Sequence, residues 1–301
     1  MTREELSNLQ NLNLEEKEAL TKLRIRQFVD YYGENNVYIS FSGGKDSTVL
    51  LHLVRSIYPN IPAVFIDTGL EFPEIKEFVR KTENVEIIRP KKTFLQVIDE
   101  YGYPVVSKEI ACTIDYARKG SKWAIDRVNG KHNYGNHDQY KFLVDAPFKV
   151  SSKCCDIMKK EPAKRYEKET GKHPIIGTMA YEGGQRLSAY LRTGCNVFDG
   201  QGERPMSKPL SFWNEEDIWD YIHKYNIKYC NIYDKGYRRT GCMFCMFGYQ
   251  HDKKPTRFDL MKETHPQIYD YCMNKLNLKQ IIKYIEDNFV TRRKKSNNDK
   301  G

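Results

Sequence analysis

Past residue 34 the chain alternates two patterns of apolar and polar positions. Short apolar runs rich in β-branched and aromatic residues occupy 37–42, 61–66 and 85–88. Each is followed by a stretch in which apolar residues recur every three or four positions, at 47–57, 73–82 and 93–101. The first pattern predicts strands and the second helices. Their alternation through short links predicts a parallel sheet covered on both faces, a doubly wound α/β fold. A further core strand is expected at 174–178. A helix is expected from its N-cap Asn214 to Lys224, with Ile218, Tyr221 and Ile222 on the apolar face. Ahead of the alternation, residues 4–32 read as amphipathic helix, with Leu20, Leu23 and Phe28 on one face and Gly33 as the stop. Residues 256–288 read as helical. The polar and aromatic stretch 120–150 has a weak pattern and is expected to be an irregular insertion. This gives an N-terminal helical region (1–33), an α/β domain (34–250), a helical C-terminal region (251–290) and a basic tail (291–301) expected to be disordered.

The first strand runs into Ser42-Gly43-Gly44-Lys45-Asp46-Ser47 and then into a helix. A glycine turn at such a junction suits an anion, because the first helical turn has free N–H groups and the positive end of the dipole. Gly43 and Gly44 allow close backbone approach, Lys45 adds a cation, and the Ser47 and Thr48 hydroxyls can donate. The plain alternative is an ordinary turn with a surface lysine. The spacing is not the G-x-x-x-x-G-K-[ST] of nucleoside-triphosphatase P-loops. The second strand ends at Asp67-Thr68-Gly69, where Asp67 is placed to hold a ribose hydroxyl or a magnesium-bound water; the alternative is a simple helix cap before Pro73. Ligands of parallel sheets sit outside the carboxyl ends of strands, so Ser42 and Asp67 are expected to face one crevice.

The 301 residues carry a net charge of +9 and 40 % hydrophobic residues. That is enough for a core, and the basic balance favours polyanionic ligands only weakly. The apolar runs are too short to span a membrane, and the first residues do not form a signal peptide. A cytoplasmic location is expected. Eight cysteines in that setting argue for metal binding or redox chemistry rather than a disulfide framework. Cys154-Cys155 and Cys242-x-x-Cys245 form a two-plus-two set; Cys112, Cys195, Cys230 and Cys272 stand singly and receive no role.

Ser-Gly-Gly-Lys-Asp-Ser resembles the PP-loop of the adenine-nucleotide α-hydrolases, which share a Rossmann-like fold. Four more blocks sharpen the resemblance to the phosphoadenosine phosphosulfate reductase family. They are Asp67-Thr68-Gly69 with Phe72-Pro73-Glu74, the Pro209–Ile222 block, the Ile232–Cys245 block and Cys154-Cys155-x-x-x-Lys159. The resemblance implies an adenine nucleotide with its phosphates over Ser42 to Ser47, and contacts from Asp67, Thr68 and Gly69. It also implies a 4Fe-4S cluster on Cys154, Cys155, Cys242 and Cys245, with zinc as the alternative, and a cation, Lys159, beside it. Gly177, Glu182 and Arg186 match a further phosphate-binding block in part, with Met179 where arginine is usual; the bland reading of Arg186 is a surface salt bridge.

Reductases of this family attack sulfate sulfur with a cysteine in a Glu-Cys-Gly-x-His tail. The last cysteine here, Cys272, lies in a helical pattern. The expectation is therefore a branch similar to the ATP-pyrophosphatase components of DNA phosphorothioation. Lys45, Asp46 and Lys159 would act in catalysis with ATP and Mg2+, and sulfur would reach a nucleic acid or another acceptor, with a cysteine desulfurase or complex subunits as partners. The alternatives are a sulfonucleotide reductase using Cys272 and a non-catalytic nucleotide-binding subunit.

Overall fold

The computed structural model describes residues 1–298. Helices α1 (Arg3–Gln10) and α2 (Leu14–Tyr32) precede the alternation β1 (Val37–Ser40), α3 (Lys45–Arg55), β2 (Ala63–Ile66), α4 (Pro73–Lys81), β3 (Val85–Ile88) and α5 (Phe94–Tyr101). Then come β4 (Val105–Val106), α6 (Lys108–Arg118), α7 (Lys122–Val128), the short α8 (Lys153–Cys155), α9 (Glu161–Thr170), β5 (His173–Ile176), α10 (Gly184–Thr193), β6 (Asn196–Val197) and β7 (Met206–Ser207). Last are α11 (Glu215–Lys224), β8 (Met246–Phe247), α12 (Arg257–Thr264), α13 (Pro266–Asp270) and α14 (Leu278–Asn298).

The main sheet has the order β3-β2-β1-β5-β7-β6. All neighbours are parallel except the edge pair β6–β7. The doubly wound α/β expectation holds. From β1 the chain goes outward to β2 on one side and later to β5 on the other, so the strand order reverses between β1 and β5. Ser40 pairs with Ile176 at that point. The loops after both strands therefore open into one crevice, where such sheets bind ligands.

Helix α11 begins as its sequence indicates. Asn214 and Asp217 form a reciprocal capping box, and Ile218, Tyr221 and Ile222 are buried. Three expectations need correction. Leu23 is 47 % exposed, and the inward face of α2 is formed by Thr21, Ile25, Phe28 and Val29. The stretch 120–150 is not irregular throughout: α7 and a 3₁₀ segment at Asp138–Leu143 lie in it, anchored by buried Ala124, Val128 and Leu143. Helix α14 extends to Asn298, so most of the supposed disordered tail is helical, consistent with its run of good helix formers; residues 299–301 lie outside the described residues. Among the described residues no helix is long and apolar enough to cross a membrane.

The N-terminal helices are fastened to the sheet domain by buried polar bonds. Lys17 Nζ meets Asp217 at 2.7 Å, with the lysine side chain 2 % exposed. Trp213 Nε1 donates to Thr21 Oγ1 at 2.8 Å. Lys17→Met is expected to cost about 3–5 kcal/mol, because it leaves a carboxylate buried without its cation. Urea unfolding would show this as a lower midpoint at constant m. A loss under about 0.5 kcal/mol would mean the pair behaves like a solvated one.

Candidate active site

α3 starts at Lys45 with Gly44 as N-cap and no side-chain cap. Gly43 has φ +73°, and a Cβ there would lie 3.0 Å from Ile75 and Val79 methyls. At Gly44 a Cβ would fall 2.6 Å from Thr240 Oγ1. The loop thus requires glycine for its dihedral at one position and for space at the next. Ser47 Oγ donates to Gly44 O at 2.9 Å and accepts from Ser42 N–H at 3.1 Å; Thr48 Oγ1 donates to the same carbonyl at 3.0 Å. These hydroxyls hold the loop's shape here, because a first-turn Ser or Thr finds the carbonyl one turn back.

The Lys45 side chain is 5 % exposed, with Nζ 3.2 Å from Asp46 Oδ1 and 3.3 Å from Glu215 Oε1. Burial is the largest single influence on Lys45 and disfavours its charge, but Asp46, Tyr233 and Glu215 together outweigh it and its pKa is raised. Burial also dominates at Asp46 and pushes its carboxyl up, with Lys45 only partly opposing. Apart from the Lys45 ammonium at 3.2 Å, the buried Asp46 Oδ1 has no polar partner. Such an acceptor fits a magnesium ion or its water.

Gly177, just past β5, lies against the start of α3; a Cβ there would be 3.2 Å from Asp46 O. Arg186 pairs with Glu182, whose carboxylate also accepts from Met179 N–H at 3.1 Å. Burial is the largest influence on Arg186 and disfavours its charge; Arg239, Asp46 and Tyr181 act on it electrostatically. Met179 is 1 % exposed and belongs to the core. Asp67 accepts from Gly69 N–H at 3.1 Å and is ion-paired to Lys76 at 3.0 Å and Arg89 at 3.3 Å. Burial works against its charge most strongly, yet Lys76, Gly69 and Arg89 together hold its carboxyl below the usual range. Thr68 Oγ1 donates to Glu71 at 2.6 Å.

The paired cysteines are brought together. Cys154 and Cys155 sit on α8, and a π-helical turn, Asp156–Lys160, follows with Lys159 on it. Cys242 and Cys245 bracket a tight turn closed by Cys245 N–H to Cys242 O at 3.0 Å. Burial pushes the Cys154 thiol far up, and Cys155, Cys242 and Cys245 add to it. Burial and then Cys242 push Cys245 up to about 11. Lys159, hydrogen-bonded to Cys242, is held charged by it against the cost of burial. Arg257 braces the turn through Cys245 O and Phe247 O while forking onto Asp252. Among the described residues no three His, Cys, Asp or Glu are grouped closely enough to hold a single metal ion. The donor set itself, four thiols that influence one another electrostatically with Lys159 among them, has the chemistry of a thiolate-ligated iron–sulfur cluster, whose ligands stand farther apart than those of one ion.

Residues not singled out from sequence join the two centres. Tyr233 OH accepts from Lys45 N–H at 2.8 Å and lies 3.3 Å from Thr240 Oγ1. Thr240 is two residues from Cys242, so their Cα atoms are at most about 7 Å apart. Met243 N–H donates to Leu70 O at 2.8 Å, tying the thiol turn to the Asp67–Glu71 turn. The Tyr233–Cys245 segment therefore touches both the glycine loop and the Asp67–Glu71 turn. Arg239, which acts on Arg186, also went unassigned. Nothing local in the sequence marks Tyr233, since its partner lies 188 positions away.

A glycine loop and helix N-terminus at the switch point of a parallel sheet define an α/β fold of the PP-loop type. The chain belongs to the phosphoadenosine phosphosulfate reductase domain family, whose model matches residues 36–119 and 106–247. An uncharacterized protein of Methanocaldococcus jannaschii is 25 % identical over 89 % of this chain and 55 % of its own length. The chain thus spans about half of that relative. A phosphoadenosine 5'-phosphosulfate reductase of Xanthomonas axonopodis pv. citri is 26 % identical over 70 % of this chain and 71 % of its own. Among solved structures, a phosphoadenylyl-sulfate reductase from Candida auris in a phosphate complex aligns with TM-score 0.45 and 18 % identity, covering 80 % of this chain and 96 % of that one. That likeness is loose, and family membership stands on the sequence match.

Proposed function

We propose that the chain is an ATP pyrophosphatase of this family that bears an iron–sulfur cluster and supports sulfur transfer. The reading rests on one observation, the Tyr233–Cys245 segment that touches Gly44 and Lys45 at one end and carries two of the four thiols at the other. Lys45, Arg186 and Arg239 suit a triphosphate better than the smaller charge of adenylyl-sulfate. In the proposed reaction an acceptor oxygen attacks the α-phosphorus and the α–β bridging bond breaks. Pyrophosphate leaves, and a sulfide-level donor then displaces AMP. Lys45 neutralises charge developing on the leaving pyrophosphate, and Asp46 would hold the magnesium ion. Cys154, Cys155, Cys242 and Cys245 would hold the cluster, which supplies a site for binding sulfur. Anaerobically prepared protein given ATP and candidate acceptors is expected to release AMP and pyrophosphate. Sulfite from adenylyl-sulfate and thioredoxin, with no ATP turnover, would overturn the reading.

The second reading, a sulfonucleotide reductase, is favoured by the Cys-Cys, C-x-x-C and Lys159 set and by relatives such as the Xanthomonas enzyme. The structure removes its internal nucleophile candidate. Cys272 is fully buried, 3.8 Å from Met261 Sδ, and burial pushes its thiol up to about 12. A thiol that is neither accessible nor ionised does not attack. Cys272→Ala is expected to keep turnover within about two-fold and cost stability only modestly; trapping an S-sulfo adduct on Cys272 by mass spectrometry would contradict this.

A further inference from the structure

A cleft opens at the Asp67 turn, with a volume near 570 Å³ and no residue of the glycine loop Ser42–Ser47 in its lining. It runs from Asp67–Gly69 past the loop after β3 to Tyr271. Four cations line it: Lys76, Arg89, Lys91 and Lys92. Asp67 answers Lys76 and Arg89, and Glu100 answers Lys92; Lys91 has no ion-pair partner among the described residues. Its aromatic side is Phe244, buried and lying between Cys242 and Cys245 in the sequence, and Tyr271, 46 % exposed with its ring centroid 6.1 Å from Phe244. The glycine loop already provides for the phosphates of a bound nucleotide. The surplus of cations here therefore addresses a different anion, one whose binding brings it next to the thiol turn.

We propose that this cleft binds the single-stranded sugar-phosphate backbone of a nucleic-acid acceptor, with Lys91, Lys92 and Arg89 on phosphates and Tyr271 stacked on one base. The proposal rests on the reading above and names its acceptor. Cations tracking a backbone beside an exposed ring are the elements of sequence-tolerant strand binding. The volume suits about one nucleotide unit rather than a duplex. Phe244, on the cleft wall and next to Cys245 in the chain, links the bound strand to the turn that carries two of the thiols.

The test is fluorescence anisotropy of the full chain with labelled single-stranded DNA and RNA 20-mers across a salt series, with ATP binding measured in parallel. Lys91→Gln/Lys92→Gln is expected to flatten the slope of log affinity against log salt by about 1.4, near 0.7 per phosphate contact. Tyr271→Ala is expected to weaken strand binding by roughly five- to a hundred-fold, and Tyr271→Phe to retain it. ATP affinity stays unchanged in all three. The proposal is overturned if wild-type protein binds neither strand, or if the variants bind strands as wild type does. It is equally overturned if the variants lose ATP in step with the strand and saturating ATP displaces it, since the cleft would then belong to the nucleotide. Strand binding through this cleft by a protein that releases no pyrophosphate would sink the pyrophosphatase reading and leave this one standing. Pyrophosphate release with no strand binding at the cleft would do the reverse.

Discussion

Lys45→Met is expected to lower pyrophosphate release from ATP by about 10²–10³, or roughly 3–4 kcal/mol of transition-state stabilisation. The size follows from position. Lys45 is the first residue of α3, and its nearly buried ammonium sits beside Asp46 and Glu215 rather than in solvent. A cation in such a site is already oriented when charge builds on the leaving pyrophosphate, so no solvent must reorganise around it. Methionine keeps an unbranched side chain, one atom shorter, and removes the ammonium with its charge and donors. The variant also takes from Asp46 its closest cation, 3.2 Å away, so magnesium dependence should shift along with rate. The check is steady-state release of AMP and pyrophosphate at saturating ATP, with a melting curve to confirm folding. Turnover within a few-fold of wild type would show that Lys45 serves only the local ion-pair network with Asp46 and Glu215.

Much of the crevice was legible because its parts are local. A strand, two glycines and a helix start can be read from six consecutive residues, and the carboxyl-end rule then puts Ser42 and Asp67 on one edge. Helix α11 was legible for a similar reason, since its cap and apolar face lie within nine residues. What stayed hidden depends on contacts across long separations. Strands β4 and β8 are two residues each and pair across about 140 positions, too short for any period to register. The Tyr233 hydroxyl reaches Lys45 N–H only after the sheet has closed. The chemistry of the Ser47 hydroxyl is visible in sequence, but the carbonyl of Gly44 that it finds is not. Leu23 shows the same limit on a helix, where one apolar residue drifts off the stripe and is left in solvent.

Cys242→Ser is expected to strip the protein of iron, abolish the broad visible absorption of an iron–sulfur chromophore, and reduce sulfur transfer to background. Cys242 is the thiol that Lys159 engages, and it lies two residues from Thr240, whose side chain stands over Gly44. A hard serine oxygen is a poor substitute where soft thiolate is required. Cys112→Ser serves as the contrast: that half-buried cysteine stands apart from the pairs in sequence and should keep both iron and absorption. Lys159→Met separates holding the cluster from using it. It leaves all four thiols in place, so iron should be retained while turnover falls by about 10- to 100-fold, the usual cost of removing a group that tunes a metal centre without ligating it. Metal analysis decides between the two occupants the sequence left open. Iron near four per chain with a visible band supports a cubane on Cys154, Cys155, Cys242 and Cys245. Zinc near one per chain with no band would make the four thiols a structural site. Sulfur would then have to be handed directly from donor to adenylated acceptor, and Lys159 would be left to steady that incoming sulfur.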